Sequence, residues 1–186
     1  MRRLPIVASL LFTALLAVTG TAQRSLPLTL EGMVRQAGII VHARVVSTES
    51  GRDPRTGMPA TWTTLEVNEN FFGATATTVR YKQFGGEVDE IVTPTPDIPR
   101  LKAGEELILM LYPPSKQTGF QSPVGMAQGV FRIGKQGSKK RVTQSVHSPQ
   151  LFKTSARPGA AAVRDGPMDF DDFARILRSV VREVKP

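Results

Sequence analysis

Three acids stand close together in the stretch FGGEVDEIVTPTPDIPR, at Glu87, Asp89 and Glu90. Carboxylates so grouped could offer oxygen ligands to Ca²⁺, which takes about six to eight oxygens. The regular alternation and the terminal acid of an EF-hand loop are missing here. Paired acids also serve glycoside hydrolysis, but that reaction needs two carboxyls at a set separation across a sugar-sized cleft. The plainer reading is that Gly85-Gly86 turns the chain and the acids stay in water. The two histidines are His42 and His147. Neither belongs to an HExxH-type pair, and no G-x-S-x-G elbow accompanies them. His42 alternates in phase with Arg44, which predicts an exposed or rim position. No Gly-rich phosphate loop is present. The chain has no Cys, so thiolate chemistry and disulfides are excluded. We assign no catalytic, cofactor-binding or metal residue from these patterns, and retain Glu87, Asp89 and Glu90 as ligand-contact candidates.

A second group is basic. The chain carries a formal net charge of +8. Residues 23–134 hold eleven Lys or Arg against eleven Asp or Glu, whereas residues 135–186 hold eleven against five, or +6, and Arg2 and Arg3 supply the rest. Lys139, Lys140 and Arg141 are the densest part of this excess. They could meet an anionic envelope component through counterion release. Phe152 is the only aromatic residue between 135 and 164, so stacking on bases is not supported and no nucleic acid is expected. The alternative is a solvated linker whose charge keeps the chain soluble.

The elements that must position these groups read as follows. MRRLPIVASLLFTALLAVTGTAQ has the form of an export signal, with two arginines, a short apolar core and small residues before a cleavage point after Ala22. A periplasmic or extracellular location follows, with no transmembrane segment in the mature chain. Leu30, Met33, Val34 and Ala37 recur at helical spacing behind Thr29, which predicts a short helix over 30–37. Alternation then predicts strands at 39–48, 61–72 and 77–84, each with one buried face. The unbroken apolar run ELILMLY, 106–112, predicts a strand buried on both faces. VGMAQGVFRIG predicts a fifth strand over 124–133. A short alternating piece, KKRVTQSV, precedes SARPGAAAVRDG, which has linker composition. DFDDFARILRSVVREVK predicts an amphipathic helix capped by Asp169, with its apolar face on the sheet. The expected organisation is a signal peptide at 1–22 and a β-domain at 23–134. A basic, partly flexible segment at 135–166 and a docked helix at 167–186 complete it.

The order of LTLEGMVRQAGIIVHARVVSTES, TTLEVNENFFG, VRYKQFGGEV, PDIPRLKAGEELILML and GMAQGVFRI resembles an uncharacterised family of exported bacterial proteins. More remotely it resembles the OB-like barrels of the netrin and metalloproteinase-inhibitor style, without their cysteines. That resemblance implies a mainly β fold: a five-stranded OB-like barrel or compact sandwich with a helix at each end. It does not carry the inhibitor function, because no Cys is present to meet a protease zinc. The functional expectation is an exported, non-enzymatic binding or structural module, its partner an anionic envelope component or another exported protein. The alternative is a small cell-surface hydrolase or protease-inhibitor-like protein.

Overall fold

The computed structural model describes residues 26–95, 97–146, 150–152 and 166–185. The expected signal peptide, His147 and most of the expected linker lie outside the described residues. Helix α1 spans Leu30–Gln36, and Thr29 Oγ1 accepts a hydrogen bond from Gly32 N at 3.0 Å. That cap satisfies one of the amides a helix start leaves open. Gly38 then carries the chain into β1, and a Cβ on it would meet Pro113 at 3.0 Å. A larger residue there would require the Pro113 backbone to give by a few tenths of an ångström.

Strand β1 runs over Ile39–Arg52, β2 over Pro59–Phe72 and β3 over Thr78–Phe84. A short hairpin follows, β4 at Gly86–Val88 and β5 at Ile91–Thr93. Strand β6 is Glu106–Leu111, β7 is Val130–Gln136, β8 is Lys139–Gln144 and β9 is Met168–Asp169. Helix α2, Phe170–Val184, completes the order. Seven strands form one antiparallel sheet in the order β3-β2-β1-β6-β7-β8-β9, while β4 and β5 pair apart.

The mainly β class with two helices is as the sequence implies, but among the described residues no closed barrel is found and a count of five strands is not confirmed. Among the described residues nothing pairs β3 with β9 to close the sheet. The extra strands escape periodicity for a physical reason. β8 buries one apolar side chain, Val142, amid charges, and β9 is two residues long. The segment set apart by its charge thus contributes sheet: Arg141 pairs with Asp169, and Lys140 with Lys135. The expected strand at 124–133 begins only at Val130. Before it, Gly125 and Met126 take left-handed backbone (φ 60° and 62°) and lead a 3₁₀ turn over Met126–Gly129. A Cβ on Gly129 would meet Val124 O at 2.8 Å, so this tight turn depends on glycine there.

The centre of the sheet is buried on both faces, and β6 shows why its sequence lacks alternation: Leu107 to Leu111 are all fully buried. Ile108 and Met110 join Ile40, Phe131 and the helices in one cluster. Leu107, Leu109 and Leu111 join Val41, Ala43, Val45, Leu65 and Tyr81 in the other. Phe173 of α2 is fully buried and packs on Phe131 with ring centroids 4.8 Å apart. At the far end of α2, Lys185 Nζ donates to Ala37 O at 2.9 Å and to Arg35 O at 3.1 Å. The last residues of one helix therefore satisfy the open carbonyls of the other.

Candidate functional site

In β1, β2 and β3 the side-chain period of two sets Thr48 and Ser50, Thr61 and Thr63, and Tyr81 and Gln83 on one face. Register makes them neighbours: Thr63 lies opposite Thr48 and Tyr81, and Thr61 opposite Gln83 and Ser50. This is the face that carries Val45 and Leu65 further along. The apolar cluster thus gives way to a field of hydroxyls at one end of the sheet. The segment around Thr95, Arg100 and Leu101 and the start of β4 cover that end, and a cavity of about 170 Å³ is left between them.

Several groups in it are unspent. Gln83 is only 7% exposed, lines the cavity, and its amide has no hydrogen-bond partner among the described residues. The neighbouring Tyr81 hydroxyl is buried without a well-formed bond. Burial pushes it up to about 12, and the Thr63 hydroxyl opposes that only in part. On the covering side, Gly85 and Gly86 have φ of 91° and 134°. A Cβ on Gly86 would stand 2.5 Å from Thr61 Oγ1 and 2.6 Å from Ser50 Oγ. Thr61 Oγ1 donates to Gly85 O at 2.8 Å. The glycine pair lets backbone lie against the hydroxyls, and any side chain there would press into them.

Glu87 also lines this cavity, but Asp89 and Glu90 do not. The latter two form the two-residue turn of the β4–β5 hairpin, with φ of 52° and 64°. Both central residues of such a turn need left-handed backbone, which glycine or asparagine supplies more easily. Asp89 pairs at 3.1 Å with Arg52, both side chains being well exposed. The three acids are therefore not one cluster: one faces the cavity and two make a turn.

Lys139, Lys140 and Arg141 line a second, wider cleft of about 720 Å³ beside the start of α2, with Asp169, Asp172 and Arg175 facing them. Its charges are largely committed. Asp169 caps α2 by accepting from Asp171 N, Asp172 pairs with Arg175, and Arg141 Nε donates to Gln136 Oε1 at 3.3 Å. Lys140 Nζ donates to Glu106 Oε1 at 2.6 Å.

The same Glu106 oxygen is 2.7 Å from His42 Nε2. His42 is buried, not at the rim, because it shares its face with Ile40 and the Phe170 ring covers it at 4.8 Å. Desolvation works to raise the Glu106 pKa, but the bonds from Lys140 and His42 outweigh it and hold the carboxyl below the usual range. An ionised Glu106 thus accepts from both neighbours. No histidine reaches the acids of the β4–β5 region among the described residues, and no group of three or more metal-ligating side chains converges there or elsewhere among them. No described helix is long and apolar enough to cross a membrane.

The hydroxyl cavity had a trace in the sequence, the T-x-T of β2 beside Y-x-Q of β3 on an otherwise apolar face. Thr is also a good strand former, so the pattern reads as sheet before it reads as site. Comparison of the chain with protein-family models, with curated proteins and with solved structures finds no match in any of the three.

Proposed function

We propose that the chain is an exported, non-enzymatic binding module of the bacterial envelope or extracellular space, and that its ligand occupies the cavity at the end of β1, β2 and β3. The unpartnered Gln83 amide carries this reading. A donor and an acceptor that the protein's own folding leaves without a partner at a cavity wall are where an incoming polar group can bond. The engagement of His42 by Glu106 favours binding over catalysis, since the imidazole is spent on structure. Backbone amide shifts on titration with a panel of small polar molecules test the reading. At least one compound should move the resonances of Thr63 and Gln83, and Gln83→Leu should abolish that response while leaving the rest of the spectrum intact. A panel that leaves the cavity residues still overturns it. Export has its own test: protein recovered outside the cytoplasm should begin at Gln23.

A further inference from the structure

Two charged side chains of opposite sign line the cavity of about 170 Å³, Arg100 and Glu87. Both are exposed, and neither makes a hydrogen bond or ion pair with any described residue, including one another. Nearby, Arg52 pairs with Asp89, Lys82 with Asp53 and Arg80 with Glu49, and of the charges left without a partner Arg100 and Glu87 are the two that line the cavity. One spare cation and one spare anion are thus left at the same small opening. We infer that the cavity takes a small polar zwitterion, a carboxylate and an ammonium a few bonds apart as in an α-amino acid; this rests on the cavity being a binding site.

The chemistry matches group by group. The planar guanidinium of Arg100 suits a carboxylate, which can accept two parallel N–H bonds from it. An ammonium carries three donors and no acceptor, and the Glu87 carboxylate is acceptor only. Deeper in, the Gln83 amide offers a donor and an acceptor, and Thr61 Oγ1, whose proton goes to Gly85 O, and the Thr63 hydroxyl add acceptor oxygens, so the end of the ligand that enters first is polar. Size limits the class further. At about 170 Å³ the space falls below the roughly 300–1,000 Å³ of drug-sized sites. No aromatic residue lines it, so a ring that binds by stacking has no platform here.

The test uses the whole mature chain and amide-shift titration with L-serine, seryl-glycine, acetate, methylammonium and glycerol as separate probes. L-serine or seryl-glycine should move Thr61, Thr63 and Gln83, and the pair of arms tells a free amino acid from a short peptide. Acetate and methylammonium, each with half of the charge pattern, should bind at least about tenfold more weakly. Arg100→Gln and Glu87→Gln should each weaken the zwitterion by about tenfold or more with no other change in the spectrum, since both side chains are exposed and unpaired. Glycerol or acetate binding as well as L-serine, or indifference to both substitutions, overturns the zwitterion while leaving the cavity a site. Silence from every probe overturns the zwitterion, and silence from the wider polar panel as well removes the cavity reading itself.

Discussion

Lys82 Nζ donates to Asp53 Oδ1 at 2.7 Å, from a side chain 15% exposed to one only 3% exposed. Through that bond β3 holds the loop between β1 and β2. Asp53 also accepts from Thr56 Oγ1 at 2.7 Å and Thr56 N at 3.1 Å, so one carboxylate organises the whole turn. The Lys82 bond, helped by Thr56 and opposed by burial, holds the Asp53 carboxyl below the ordinary carboxylate value. A depressed folded-state pKa adds stability above the unfolded value, and that stability disappears as pH falls through the folded one. Asp53→Asn should therefore lower stability clearly at pH 7 and far less at the acid end, flattening the acid limb. Urea unfolding of both proteins at pH 7 and about pH 3 checks this, and an equal loss at both would count against it.

Tyr81 gives the opposite slope. Its burial raises the phenol to about 12, so the fold favours the neutral form. The associated stability is complete below about pH 10, the unfolded value, and is lost as pH rises through the folded value. In Tyr81→Phe the stability at high pH should fall less steeply. Removing a buried hydroxyl without a well-formed bond should also leave the protein as stable at pH 7, or more so by up to about 1 kcal/mol.

Docking of α2 rests on Phe173, which is fully buried between Phe131 and Phe152. Phe173→Ala should cost about 3–5 kcal/mol, the usual range for emptying an aromatic core position. The exposed Arg182 on the same helix should tolerate Ala within about 0.5 kcal/mol. Chemical denaturation of the two variants side by side measures the contrast.

The turn of the β4–β5 hairpin places Glu90 at φ 64°, where a side chain costs about 1 kcal/mol relative to glycine. Glu90→Gly should raise the unfolding midpoint slightly without altering the cavity, because Glu90 lies outside it. A fall in stability would show that Glu90 makes a contact the turn geometry does not reveal.

Most of the scaffold could be read from the chain because its signals are local. Thr29 caps α1, Asp169 caps α2, and the run from Leu107 to Leu111 is buried on both faces as its lack of alternation implies. What escaped was set by register and by contacts far apart in sequence. His42 alternates with Arg44, yet Phe170, well over a hundred positions away, decides that it is buried. Glu87, Asp89 and Glu90 look alike on the page, and only the hairpin turn sends the first toward Arg100 and the others away. Gln83 reads as an ordinary polar strand residue until Thr61 and Ser50 are set beside it by pairing.

The clasp between the two helices bears on the order in which the molecule can assemble. Lys185 meets Ala37 across 148 residues of chain, and β6 joins β1 across more than sixty. The β1–β2 hairpin closes over a short loop and can form early, whereas the face shared by α1 and α2 must wait for the whole span to be synthesised. Such long-range closure is slow. Until it happens, Met33, Ile40 and Met110 stand uncovered, so this protein spends its youth with its helix-bearing side open to whatever chaperone meets it first.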